Sequence, residues 1–162
     1  MSRLDSVIRR LKAQRACLDY AVTLVRGVPG PVFELGLGNG RTYDHLRGLC
    51  PEREIMVFDR QVAAHPDCIP DPAHLVLGDI RETLPAAADR FAGRVALAHC
   101  DVGTGDAAAN AALAAILSQS LPALMVTGGI IVADQEMTPD GATPLALPDG
   151  VRPGRYFMYR AP

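Results

Sequence analysis

The sequence predicts a doubly wound α/β domain: a mostly parallel sheet of about six or seven strands with helices on both faces, an added N-terminal helix and a reduced C-terminal hairpin. Three observations predict it. Short, nearly continuous apolar runs alternate with longer helix-compatible segments, as strands covered on both faces and joined by crossovers should. The first run passes directly into a glycine-rich turn. The runs also end at or just before acidic residues. A chain of 162 residues fits one domain, divided as an N-terminal helix (1–26), a core (31–134) and a C-terminal loop and strand (135–162).

Leu4, Val7, Ile8, Leu11, Leu18, Val22 and Val25 recur at helical spacing and predict one amphipathic helix with an Arg-rich outer face, ended by Gly27, Pro29, Gly30 and Pro31. Strands are predicted at 32–35, 55–58, 75–77, 95–98 and 130–133, with helices at 42–49, 80–90 and 106–121. The segment 61–72, with three prolines, is irregular. Beyond Asp134, a strand is expected at 156–160 and a weaker one near 144–147.

Composition narrows the function. Sixteen basic and eighteen acidic residues give a net charge of −2, so nucleic-acid binding has no global basic field to support it. The first twelve residues are interrupted by charges, and the apolar run 121–133 is broken by Pro122, Gly128 and Gly129, so neither a signal peptide nor a membrane span is predicted. Cys17, Cys50, Cys68 and Cys100 form no C-x-x-C pair and read as reduced thiols of a cytoplasmic protein. Lys12 is the sole lysine and no serine lies in a G-x-S-x-G elbow, which removes P-loop and α/β-hydrolase chemistry.

The turn Glu34-Leu35-Gly36-Leu37-Gly38-Asn39-Gly40 lets the chain turn tightly and lets a ligand approach the main chain. Later strand candidates meet Asp59, Asp79, Asp101 and Asp134, at successive intervals of 25, 20, 22 and 33 residues counted from Glu34, each long enough for a strand and a crossover. Any one acid serves equally well as a turn or helix cap. Five at corresponding positions line one crevice at the carboxyl edge of the sheet, where open α/β sheets bind ligands. An acidic crevice suits a cationic nucleoside better than a pyrophosphate. Asp59, 19 residues beyond Gly40, sits near the offset at which a strand-end carboxylate accepts from ribose hydroxyls.

From residue 31 to 134 the chain resembles the class I, Rossmann-like S-adenosyl-L-methionine (SAM)-dependent methyltransferases. Glu34, Gly36, Leu37, Gly38, Asn39 and Gly40 are similar to the methionine-binding loop, with Thr42 and Tyr43 close enough to reach the methionine end. Asp59 and Arg60 resemble the second motif, which implies ribose binding by Asp59. Gly78, Asp79 and Ile80 resemble the third, which implies an adenine contact. The 128–134 run resembles the fifth strand with a preceding glycine turn.

The resemblance implies transfer of a methyl group from SAM to an oxygen or nitrogen of a small-molecule acceptor, an in-line displacement that depends on alignment. Asp101 and His99 are the candidate bases, Asp101 also lining the cofactor pocket. Asp101, Asp134 and Gln135 are similar to the magnesium ligands of catechol-type O-methyltransferases, with Gln135 where an Asn is usual. The residues Cys100-Asp101-Val102-Gly103 replace the N/D-P-P-Y/F tetrad of amino-methylating enzymes. Two alternatives stay open, a non-catalytic module for SAM or S-adenosylhomocysteine (SAH) and a nicotinamide-dependent oxidoreductase. The extra N-terminal helix leads to the expectation of a homo-oligomer.

Overall fold

The computed structural model describes residues 2–162. Helix α1 spans Arg3–Leu24 and opens on a capping box: the Ser2 hydroxyl accepts from the Asp5 amide (3.0 Å), and the Asp5 carboxylate accepts from the Ser2 amide (3.1 Å). The buried residues of the helix begin at Ala13 and are Ala13, Gln14, Cys17, Leu18 and Ala21. Its first turns stand clear, leaving Leu4 67% and Val7 45% exposed. Arg53 ties its far end to the sheet by donating to the carbonyls of Val25, Val28 and Gly30 at 2.6–2.8 Å, and so satisfies acceptors that a helix end leaves without partners.

The strands are β1 (Val32–Leu35), β2 (Ile55–Asp59), β3 (Leu75–Leu77), β4 (Val95–Cys100), β5 (Met125–Ala133), β6 (Thr143–Pro144) and β7 (Phe157–Arg160). They form one seven-stranded sheet in the order β3-β2-β1-β4-β5-β7-β6. The first five strands are parallel and β7 runs antiparallel to both neighbours. The order reverses between β1 and β4, which places the ligand edge there.

Alternating side chains supply two cores. Phe33, Leu35, Met56, Phe58, Ala98 and Ile131 pack under α3 (Ile80–Ala86), α4 (Ala88–Phe91) and α5 (Ala107–Ser120). On the opposite face Val32, Val57, Leu97 and Val132 pack under α1 and α2 (Arg41–Leu49). Phe33 lies at the centre of the first core, 4.9 Å from Phe58 and 5.1 Å edge-on to Phe91 between ring centroids. No helix among the described residues is long and apolar enough to cross a membrane.

Three elements depart from expectation. The fifth strand begins at Met125 rather than 130, because Gly128 and Gly129 lie within it; Gly128 takes φ +79°, and the β4–β5 register shifts between Val95 and Leu97. The single helix expected over 80–90 is two, with Pro85 in the last turn of the first and Ala87 at the junction. The short hairpin strand lies at 143–144 instead of 144–147.

Candidate active site

The turn after β1 is a left-handed sequence of glycines. Gly36 takes φ +96°, and a Cβ there would lie 2.3 Å from the Asp101 carbonyl oxygen, so the β1 and β4 loops touch only because residue 36 has no side chain. Gly40, at φ +84°, opens α2 against Cys68 in the same way. Beyond the turn lies a cavity of about 450 Å³, within the usual range for small-ligand sites. Gly36, Gly38, Asp59, Arg60, Gly78, Ile80 and Asp101 border it, with an apolar wall from Phe58, Leu113 and Ile116.

The strand-end acids differ in what holds them. Asp59 Oδ2 accepts from the amides of Leu37 (2.7 Å) and Gly38 (3.1 Å), while Oδ1 accepts from Gln61 (3.2 Å). It thereby fixes the glycine turn, and a carboxylate with about four lone-pair directions has acceptor capacity left for a ligand. Asp79 caps α3 and forms a fork with Arg81 at 2.9–3.0 Å; these hydrogen bonds, reinforced by the Arg81 and Arg60 charges, lower its carboxyl to about 2.

Glu34 is not in the cavity. The β1–β4 register sets it beside His99, both fully buried. His99 Nδ1 lies 2.7 Å from Glu34 Oε2, and the Thr42 hydroxyl donates to Glu34 Oε1. Burial works against charge on the imidazole, yet the adjacent Glu34 carboxylate outweighs it and raises His99 above its ordinary value. His99 and Thr42 thus lie beneath the site rather than along it. Leu37 turns into the second core, and Asn39 is exposed at the tip of the turn.

Asp101 has company that the sequence did not announce. Gln14 donates to its Oδ2 at 2.7 Å, and Arg10 reaches its Oδ1 at 3.8 Å, both from α1. The signal was present: Gln14 is the one polar residue in the buried stripe of α1. Asn110, a polar residue in an alanine-rich helix, likewise fixes the loop after β4. Its side-chain oxygen accepts from the Thr104 amide at 2.7 Å, and its nitrogen donates to the Thr104 carbonyl at 2.9 Å.

Asp101 and Asp134 lie near one another at the ends of β4 and β5, with Gln135 beside Asp134. Among the described residues no group of three or more His, Cys, Asp or Glu is arranged to hold a metal ion. Asp134 Oδ2 accepts from the Gly103 amide (3.0 Å) and the Gln135 side chain (3.2 Å), so Gln135 turns its nitrogen, not its oxygen, toward the carboxylate. Cys100 is buried, which pushes its thiol well above the ordinary value and leaves it without nucleophilic character.

The glycine turn, a carboxylate on β2 that borders the cavity and the apolar wall across α5 fit an adenosyl compound. Comparison with known proteins agrees. A crystal structure of an S-adenosyl-L-methionine methyl transferase from Silicibacter pomeroyi DSS-3 is 47% identical, covers 100% of this chain and 99% of its own, and superposes with a TM-score of 0.95. At the level of fold alone, an SAH-bound methyltransferase of Podospora anserina matches with TM-score 0.62 and 15% identity, over 88% of this chain and 76% of its own. Human methyltransferase-like protein 13, in complex with SAH, matches with TM-score 0.59 and 12% identity, over 93% and 81%. No curated protein matches the chain. A family described as S-adenosyl-L-methionine methyltransferase matches residues 1–161. The chain belongs to that family of SAM-dependent methyltransferases.

Proposed function

We propose that the chain methylates an oxygen or nitrogen of a small molecule, with SAM held in the cavity between the glycine turn and α5. When bound, SAM supplies an electrophilic methyl carbon on a sulfonium. Asp59 is assigned to the ribose hydroxyls and Asp79 to the adenine amino group, with Gly78, Ile80 and Arg60 around them. Phe58, Leu113 and Ile116 give the base an apolar surface. Gly36, Gly38 and Gly40 keep the turn open to the methionine portion. Asp101, oriented by Gln14 and Arg10, is assigned to its ammonium group. His99 is a positioning residue here: its bond to Glu34 fixes the end of β4 against β1, and Thr42 extends the same bond to α2.

The observation that carries this reading is the shared cavity wall of Gly36, Gly38, Asp59 and Asp101, from three strands. Calorimetric titration with SAM, SAH and NAD tests it. SAM and SAH should bind, and Asp59→Ala should weaken them by about 1.5–3 kcal/mol, the value of hydrogen bonds to a charged group. Binding of NAD without SAM overturns the reading. SAM binding without turnover on any acceptor would leave a non-catalytic module.

Four free cysteines support a cytoplasmic location. The stripe of Leu4, Val7 and Ile8 on the projecting turns of α1 supports a homo-oligomer. Sedimentation of the full chain against Leu4→Glu/Ile8→Glu should show the larger species only for the former. One domain, 1–162, is supported by the single continuous sheet.

A further inference from the structure

A second cavity, of about 510 Å³, adjoins the first and shares Gly103 and Thr104 with it. Arg10, Asp134, Glu136, Arg155 and Tyr156 also border it. Two buried polar atoms on its lining residues have no partner: Asp134 Oδ1 and the hydroxyl of Tyr156, a residue only 1% exposed. Gln14, which donates to Asp101 at 2.7 Å, lies beside the Tyr156 phenol without reaching hydrogen-bond geometry to it. Buried polar atoms left unpaired cost free energy, so such a pair marks a place completed by a ligand or by water.

We propose that this cavity is the acceptor site, that it takes a small, polar, hydroxyl-bearing molecule, and that Asp134 Oδ1 receives the hydroxyl proton. The proposal rests on the cofactor assignment above. The residues select the class by fit. Arg10 and Arg155 balance Asp134 and Glu136 in charge around the cavity, so a neutral polar molecule enters it without bringing an unpaired charge. A neutral hydroxyl donates its proton to Asp134, accepts from Tyr156, and keeps one lone pair for the methyl carbon.

Asp134 Oδ1, buried at the cavity and without a partner, is the acceptor that a bound hydroxyl meets. His99 lies behind Tyr156 with the rings stacked 6.2 Å apart at 10°, which holds the phenol in place. The balance is complete. The acceptor oxygen bonds to the methyl carbon as its proton passes to Asp134, and the carbon–sulfur bond breaks with its electron pair kept by sulfur. A methyl ether and the thioether SAH result, and Asp134 returns its proton to solvent.

The test uses the full-length, ¹⁵N-labelled chain saturated with SAH, titrated in turn with glycerol, 1,3-diaminopropane and malonate as neutral hydroxyl, ammonium and carboxylate probes. Glycerol should shift the amide resonances of Gly103, Thr104 and Gln135. Asp134→Asn and Tyr156→Phe should each abolish those shifts while SAH affinity stays as in the parent. With labelled SAM and a hydroxylated acceptor, Asp134→Asn should lower kcat about 10²–10⁴-fold. Shifts with the diamine or malonate instead, shifts with glycerol that survive both substitutions, or no shift with any probe overturn the proposal. Failure of SAH to bind overturns the cofactor assignment instead, so the two are separable.

Discussion

Glu34 and Asp59 occupy neighbouring parallel strands, one residue short of the end of β1 and at the end of β2, yet serve opposite ends. Glu34 points under α1 and α2, fully buried, and spends its oxygens on His99 and Thr42. Asp59 stands at the open edge, accepts backbone amides of the glycine turn, and borders the cavity proposed for SAM. A carboxylate without solvent must have fixed partners and becomes part of the frame; one at the rim can exchange partners for a ligand. Strand position makes these acids comparable, and the face they turn to divides them.

That division can be broken most severely from the buried side. Glu34→Ala leaves His99 buried without its counter-charge and should destabilise the chain by about 3–5 kcal/mol in urea unfolding. The double substitution with His99→Leu should recover much of that loss, because it removes the stranded group. A loss below about 1 kcal/mol for Glu34→Ala would mean that the pair contributes no framework.

Asp59→Ala, by contrast, should act chiefly on SAM affinity, within the range stated above, with a smaller change in unfolding. A larger effect on folding than on binding would erase the distinction between the two acids.

Two pH effects of opposite sign sharpen it further. His99 is raised in the folded state, so its contribution is fully present below the ordinary histidine value near 6.5 and is lost as pH rises through the raised one. The stability difference between the parent and His99→Gln should therefore shrink toward alkaline pH; growth of that difference would contradict the assignment. Asp79 is lowered from 3.8 to about 2, so its contribution is present above the ordinary value and disappears as pH falls through that window. Being at the exposed rim, it should give the smallest effect, visible as a slightly reduced acid sensitivity in Asp79→Asn.

Much of this architecture was legible in the chain. Apolar runs such as 32–35 and 95–98 placed the strands because both faces are covered. The glycine turn and the spacing of Asp59, Asp79 and Asp101 put these residues at one edge of the sheet, where the turn, Asp59 and Asp101 border a cavity. Which acids border that cavity was not legible, because it depends on register. Only the pairing of Glu34 with His99 across β1 and β4 turns a loop-motif acid into a framework residue. Gln14 and Tyr156 reach the site from sequence-distant elements, α1 and the segment before β7, so no local motif contains them.

A crystal structure of the full chain with SAH tests the division most directly. Ribose hydroxyls should lie within hydrogen-bond distance of Asp59, with Glu34 still joined to His99 and Thr42 beneath the ligand. Ribose turned away from Asp59, or Glu34 released from His99 to grip the amino group, would contradict it.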